Sequence, residues 1–197
     1  VIAQASGGAN AYVDLDPVAH SLYPRDMDKP WRSVECLENH DIVYKGHSGS
    51  ARIPALADPL DSRSWYARSR SRAASGLLLT APGIPMLFMG QEFLEDRLWS
   101  DDAHDNPDTL IRWDSLEQGD GTMSDYLRFT GDLVRLRRRH PALRGGRINV
   151  FHVHNDNRVI AFHRWMEGAG RDIVVVASLN EAALYDYCLG FPLWGRW

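Results

Sequence analysis

Two patterns of apolar and polar residues divide the chain. Up to about Leu143, apolar runs of strand length alternate with stretches of helical spacing, whereas from Ile148 onward short β-rich runs are separated by turn residues. Arg144-Gly145-Gly146 is the junction between the two regions. Alternating strands and helices predict right-handed crossovers between parallel strands, and the later runs predict an antiparallel sheet.

The first region predicts two helices and two strands. Ser64 is a candidate N-cap for a helix that continues to Thr80, and a second helix covers about 124–139. The run 84–90 is almost continuously apolar, which is typical of a parallel strand buried on both faces. The segment 33–39 is a weaker strand candidate, because two glutamates interrupt it.

After the junction, the spacing predicts three strands, at 148–154, 159–165 and 173–179. Asn155-Asp156-Asn157 closes the first pair as a hairpin. If Phe151 lies opposite Phe162 and Val153 lies opposite Ile160, the hairpin has one apolar face. Burial of that face would then fix the register of the two strands.

The densest polar cluster beside a predicted strand end is Glu38-Asn39-His40-Asp41. In parallel α/β folds, functional side chains collect at the C-terminal ends of strands, which is where this cluster falls. The alternative is that Asn39 and Asp41 form a turn and that His40 is an ordinary surface residue. The segments that follow the cluster bear on this choice.

These segments come in a distinctive order. The strand Gly83-Ile84-Pro85-Met86-Leu87-Phe88-Met89-Gly90-Gln91-Glu92 is followed by five further segments at 110–116, 136–143, 159–164, 173–180 and 186–192. Together with Asn39-His40-Asp41, this ordered set resembles the α-amylase family, and within it the 1,4-α-glucan branching enzymes more than the secreted amylases. The resemblance extends from about Val34 to Trp197.

The resemblance implies an α/β region followed by an all-β region. Residues 1–145 would be the C-terminal part of a (β/α)8 TIM barrel, with its seventh and eighth strands and their helices. Residues 146–197 would begin an antiparallel β-sandwich domain that is incomplete in this chain. Because a whole barrel takes about 250 residues, the other strands are expected before Val1, and 1–31 would be the crossover into the seventh strand.

The resemblance also assigns roles to the polar cluster. Asp41 would be the third acidic residue of the active site, binding sugar hydroxyls and stabilising the transition state, while His40 and Asn39 would bind the same sugar. The nucleophile and the general acid/base, about 5 Å apart in a retaining enzyme, would lie on the fourth and fifth strands. The chain alone is therefore expected to be inactive.

Trp99 lies in the polar loop 98–105 after the predicted eighth strand, where barrel enzymes build substrate sites. Its ring either contacts glucan or anchors the loop. Trp65, by contrast, is expected to pack at the start of its helix.

No metal or organic cofactor is expected, because glycosyl transfer of this type needs none. A zinc site is suggested by His152, His154 and His163, but these histidines have no assured fourth ligand. A calcium site is suggested by Asp101, Asp102 and Asp105, but their spacing lacks the glycine and closing glutamate of an EF-hand loop.

The expected function is transfer of α-1,4-glucan segments to a sugar 6-hydroxyl in glycogen synthesis, as part of a longer branching enzyme. A hydrolase or a trehalose-forming member of the α-amylase family is an alternative. A function of another class is a non-catalytic module that binds glucan or docks to a partner polypeptide. The expected partners are α-glucan and, at the open barrel edge, the remainder of the barrel or another copy of the chain.

Composition and charge limit the possible partners and the location of the protein. With 44% hydrophobic residues and a net charge of −4, the chain resembles an ordinary globular protein and gives no reason to expect nucleic acid or an anionic membrane surface. The longest apolar stretch, 76–90, is 15 residues and contains Pro82 and Pro85, so no transmembrane helix is expected. Cys36 and Cys188 predict no disulfide framework, and a cytoplasmic location is expected.

Overall fold

The structure is a computed structural model that describes residues 1–23, 29, 32–46 and 49–197. Short 3-10 turns at Gln91–Phe93 and Pro107–Thr109 follow the second strand. The helices and strands, in chain order, are α1 (Ile2–Ala5), α2 (Asp16–Ser21), β1 (Val34–Cys36), α3 (Ile53–Ala57), α4 (Trp65–Thr80), β2 (Ile84–Met86), α5 (Trp113–Glu117), α6 (Gly121–Arg139), α7 (Pro141–Arg144), β3 (Arg147–His154), β4 (Val159–Trp165) and β5 (Ile173–Ser178).

Strands β1 and β2 pair in parallel, as the alternation of strands and helices predicts. Val34 lies opposite Ile84 and Cys36 opposite Met86, and the connection between the strands contains α4. The expectation that β2 is buried on both faces is wrong for this chain, because Ile84 in β2 is 50% exposed, and its partner Val34 in β1 is 57% exposed as well. Within the described residues these two strands form a sheet of their own, so this apolar pair has no further strand beside it.

Helix α4 begins where the sequence predicts. The Ser64 hydroxyl accepts a hydrogen bond from the Ala67 amide at 3.0 Å, which satisfies one of the free N–H groups of the first turn. Ala74 is buried, but Trp65 is exposed, so the prediction that Trp65 packs at the start of the helix is wrong. Ala74 is nine positions after Trp65, and at about 100° per residue the two side chains lie on opposite sides of the helix.

Replacing Ser64 by Ala should lower the free energy of unfolding by about 1 kcal/mol. The hydroxyl also donates to Asp58 Oδ2 at 2.7 Å, and this bond holds the pKa of the Asp58 carboxyl below its ordinary value. Denaturant unfolding measures the loss, with Ser69→Ala in the helix interior as the control, where Ala is the better helix former. Equal stability of the two variants would contradict the assigned cap.

Helix α6 begins earlier than predicted because of a cap that the apolar spacing does not show. The Asp120 carboxylate accepts hydrogen bonds from the amides of Thr122 and Met123 at 2.9 and 3.1 Å. The buried Tyr126 hydroxyl lies 2.9 Å from Ser75 Oγ, which connects α6 to α4, and burial raises the pKa of Tyr126 to about 12. None of the helices in the described part of the chain is long and apolar enough to span a membrane.

The strands after the junction form one antiparallel sheet in the order β3-β4-β5. Val153 lies opposite Ile160 as predicted, but Val150, not Phe151, lies opposite Phe162, because a bulge interrupts β3 between Val150 and His152. Val150 and Val153 both pack against the core although they are three positions apart, a spacing that places side chains on opposite faces of a regular strand. The bulge shifts the alternation by one position and makes this possible. A second sheet, which the sandwich expectation requires, stays a prediction.

The first residues of the chain pack on this sheet. Leu15 and Leu22 are buried with Ile160 and Phe162 in one core, so residues from both sides of the predicted junction at 145/146 share it. The predicted domain boundary itself stays a prediction. Of the expected crossover over 1–31, residues 24–28, 30 and 31 lie outside the described residues.

Two arginines, one in β4 and one in α6, donate hydrogen bonds to backbone carbonyls at the end of α4. Arg164 is fully buried and donates to the carbonyls of Leu143, Gly145 and Thr80. Arg137 donates to the carbonyls of Leu79, Ala81 and Gly83 at 2.6 to 2.9 Å. Cations at this position satisfy free carbonyls at a helix C-terminus. Burial lowers the pKa of Arg164 to about 9, so its guanidinium stays protonated at neutral pH.

Candidate active site

Glu38, the first residue of the polar cluster, is buried, and both of its carboxylate oxygens accept hydrogen bonds. Arg52 binds its Oε2 through Nη2 at 2.7 Å and Nε at 3.0 Å, and the Ile53 amide donates to Oε1 at 2.7 Å. Arg52 also donates to the Met89 carbonyl at 2.9 Å, three residues beyond β2. Arg52 therefore connects the ends of the two parallel strands, and the Glu38 carboxylate is not free for chemistry.

Asn39 forms the turn that follows. Its side-chain Oδ1 accepts a hydrogen bond from the Ile42 amide at 2.8 Å, and its carbonyl accepts one from Val43 at 3.1 Å. The turn-forming alternative therefore applies to Asn39. Contact between Asn39 and a sugar stays a prediction.

This turn presents His40 and Asp41 to solvent. The His40 side chain is 62% exposed and the Asp41 side chain 81% exposed, with His40 Nε2 3.4 Å from Asp41 Oδ1. An exposed imidazole and carboxylate that leave most of their hydrogen-bonding capacity free can bind the hydroxyls of a polar ligand.

Trp99 comes to the same place from the loop after β2. Its amide donates to the Val43 carbonyl at 2.9 Å, and its carbonyl accepts from the Lys45 amide at 2.7 Å, which makes a parallel bridge between the loops that follow β1 and β2. The indole lies edge-on to the His40 ring, with centroids 5.7 Å apart. The structure thus brings together His40, Asp41 and Trp99, with Asn39 in the turn that carries the first two.

A buried carboxylate shapes the loop that carries Trp99. Glu95 accepts hydrogen bonds from the amides of Asp96 and Arg97, each at 3.0 Å, and from the amide of Arg112 at 2.7 Å. Gly90 makes room for it: at φ 83°, a Cβ there would come within 2.6 Å of the Glu95 Cβ. Only glycine fits this position without strain.

Two side-chain contacts join the loops that follow β1 and β2. Lys45 Nζ lies 2.7 and 2.8 Å from the two Asp108 oxygens, and this hydrogen-bonded ammonium holds the pKa of the Asp108 carboxyl below its ordinary value. The Tyr44 hydroxyl donates to Asp101 Oδ1 at 3.3 Å, and the negative charge of Asp101 raises the pKa of Tyr44.

Sequence reasoning missed Arg52, Tyr44 and Glu95. Arg52 pairs with a residue 14 positions away, and Tyr44 with one 57 positions away. Spacing along one element carries no signal for such contacts, and the only hint was that Tyr44 and Arg52 follow soon after the polar cluster.

The histidines raised as a possible metal site are not gathered in one place. His152 Nε2 and His154 Nδ1 both lie near the Tyr187 hydroxyl, at 2.7 and 3.3 Å, whereas His163 pairs with Asp172 at 2.9 Å. Over the described ranges, no group of three His, Cys, Asp or Glu residues could hold a metal ion.

Comparison with known proteins adds a relationship to this geometry. No protein-family model matches the chain. The chain is 32% identical over 172 residues to the 1,4-alpha-glucan branching enzyme GlgB of Burkholderia pseudomallei, in an alignment covering 84% of this chain and 21% of that protein. The chain is a relative of the 1,4-alpha-glucan branching enzymes. It spans about a fifth of the length of the curated relatives that it matches.

Parts of two solved structures are similar in fold to most of this chain. A pullulanase from Anoxybacillus sp. LM18-11, complexed with maltotetraose, has a TM-score of 0.62 at 23% identity, covering 84% of this chain and 25% of that chain. The alpha-amylase of Geobacillus thermoleovorans, complexed with acarbose, has a TM-score of 0.56 at 24% identity, covering 85% of this chain and 32% of that chain. The chain therefore shares its fold with part of each of these two proteins.

Proposed function

We propose that the chain is the C-terminal part of a 1,4-α-glucan branching enzyme and supplies one wall of its active site. One observation carries the proposal: His40, Asp41 and Trp99 meet at an exposed surface just beyond the C-terminal ends of two adjacent parallel strands. Active sites of (β/α)8 barrels lie at this end of their strands. The sequence relationship to branching enzymes and the fold shared with a maltotetraose-bound pullulanase support an α-glucan as ligand.

In this proposal β1 and β2 are the seventh and eighth strands of the barrel, and β3 to β5 begin the β domain that follows it. The remaining barrel strands would cover the free edges of the two-stranded sheet, where Val34 and Ile84 are exposed. A cavity of about 420 Å³ between α1, α2, β1 and α4, lined mainly by apolar side chains, would be closed by the same part of the polypeptide. A second copy of the chain is the other candidate for this edge.

The chemistry follows from what one exposed carboxylate can do. In a retaining transfer, a nucleophilic carboxylate takes the glucan from its α-1,4 linkage while a carboxylic acid protonates the leaving oxygen. A 6-hydroxyl then attacks the covalent glycosyl group and releases the nucleophile, and the deprotonated acid takes the proton of that hydroxyl. Asp41 would bind ring hydroxyls of the sugar, through hydrogen bonds that strengthen as positive charge develops on the ring. The nucleophile and the acid would come from the rest of the polypeptide.

A hydrolase is the second candidate, because the structural neighbours include a pullulanase and an alpha-amylase. Retaining hydrolysis shares its first step with transfer and differs only in whether water or a sugar hydroxyl attacks the covalent intermediate. The choice between water and a sugar hydroxyl would depend on residues other than His40, Asp41 and Trp99.

Incubation of the complete polypeptide with amylose tests the proposal. Loss of iodine colour without new reducing ends indicates branching, whereas a rise in reducing ends indicates hydrolysis. If neither changes but the polypeptide binds amylose, the function is a glucan-binding module and the proposal is wrong. The chain by itself should show no turnover, and any turnover by the pure chain would contradict the assignment of nucleophile and acid to the rest of the polypeptide.

A further inference from the structure

Tyr44 lies between the two loops that form the candidate site. It follows the turn that carries His40 and Asp41, and its backbone lies in the bridge to Trp99. Its ring centroid is 5.9 Å from that of the indole, and its hydroxyl donates to Asp101 at 3.3 Å, in the loop of Trp99. Tyr44 is therefore in contact with the second loop through its backbone, its ring and its hydroxyl.

The bridge fixes the backbone of Trp99 but leaves the orientation of its indole to side-chain contacts. Two hydrogen bonds hold the Trp99 amide and carbonyl, at 2.9 and 2.7 Å. The aromatic neighbours of the indole, among the described residues, are His40 and Tyr44. Because an indole held on a fixed backbone still has two rotatable side-chain bonds, loss of one neighbour would let it sample other rotamers.

We propose that Tyr44 is a positioning residue that holds the Trp99 indole against His40, so that indole, imidazole and the Asp41 carboxylate present one surface to a glucose ring. The proposal rests on the proposed glucan function. A pyranose has apolar faces that pack on an aromatic ring and hydroxyls that bind polar groups beside it. The ring of Tyr44 holds the indole in place, whereas its hydroxyl, which is hydrogen-bonded to an exposed aspartate, adds little to this positioning.

The His40 imidazole reports directly on the position of the indole. A proton near the edge or face of an aromatic ring has a shifted NMR resonance, so removing or turning the indole moves the His40 Cε1 proton signal. In the complete polypeptide with isotope-labelled histidine, Tyr44→Ala and Trp99→Ala should move this signal in the same direction, whereas Tyr44→Phe should leave it close to its original position. Tyr185→Ala, which removes an exposed tyrosine elsewhere, is the matched control and should leave it unchanged.

Titration of the complete polypeptide with maltoheptaose gives the second measurement. Tyr44→Ala should weaken binding about three- to tenfold, the range of one lost aromatic contact, and Tyr44→Phe less than twofold. If Tyr44→Ala fails to fold by circular dichroism, Tyr44→Leu keeps the bulk without the aromatic ring and is measured in its place.

The two measurements separate the two proposals. If the complete polypeptide binds no maltoheptaose but the His40 signal moves as expected, positioning of the indole by Tyr44 stands and the proposed glucan function is wrong. If the polypeptide binds maltoheptaose and Tyr44→Ala changes neither the signal nor the affinity, the positioning role is wrong. An effect of Tyr44→Phe as large as that of Tyr44→Ala would assign the role to the Asp101 hydrogen bond and overturn the proposal.

Discussion

Replacing Asp41 by Asn in the complete polypeptide should lower the rate of glucan transfer by roughly 10²- to 10³-fold while the fold survives. The fold should survive because the Asp41 side chain is 81% exposed and its described contact is with His40, and surface changes of this kind alter stability by about 0.5 kcal/mol or less. The rate should fall because the neutral amide cannot complement the positive charge that develops on the sugar ring. Initial rates from the iodine assay, with thermal melting alongside, measure both effects.

The chain offers a close control for this variant. His104 and Asp105 are also adjacent and exposed, with side chains 96% and 73% accessible and 2.9 Å between Nδ1 and Oδ1. Asp105→Asn removes an exposed carboxylate of the same kind, one that is paired with His104 and not with His40. Near-normal transfer by a folded Asp41→Asn protein, or an equal loss in Asp105→Asn, would show that Asp41 does not act on the sugar.

Local signals in the sequence predicted local structure well. Ser64 was readable as a cap because its hydroxyl bonds an amide three residues along the chain. The pairing of Val153 with Ile160 was readable because the apolar alternation on both strands allows few registers. The bulge at Phe151 was not, since it depends on how Val150 packs against residues from the start of the chain.

The candidate site likewise has features that local sequence predicts and features that it does not. That His40 and Asp41 lie exposed at a strand end follows from their position after an apolar run and from the turn preference of Asn39. That Trp99 lies beside them requires a bridge between segments more than 50 residues apart, and no pattern within either segment encodes it. Sequence reasoning also placed Glu38 in the polar cluster without a way to tell whether its carboxylate is free. Whether a carboxylate is free depends on its partner, and here the partner is the buried Arg52.

The contact between Glu38 and Arg52 leads to the second large effect. Replacing Arg52 by Met should lower the free energy of unfolding by about 3–5 kcal/mol, because it leaves a buried carboxylate without its partner. Both side chains are 2% exposed. The Met89 carbonyl also loses a hydrogen bond from Arg52, so the link between the ends of β1 and β2 is removed as well. Urea unfolding measures the loss, and Arg128→Met on the exposed side of α6 is the control, with an expected change of about 0.5 kcal/mol or less.

A double variant separates an unpaired charge from lost packing. Because much of the cost of Arg52→Met is the desolvation of an unpaired carboxylate, Glu38→Gln combined with Arg52→Met should recover part of the lost stability. The glutamine Oε1 can still accept the hydrogen bond that the Ile53 amide donates to Glu38 at 2.7 Å. If the double variant is less stable than Arg52→Met alone, the arginine stabilises the fold through its stem and its contact with the Met89 carbonyl. The strand ends would then be joined by the packing of the Arg52 stem and its hydrogen bond to Met89, and not by the ion pair.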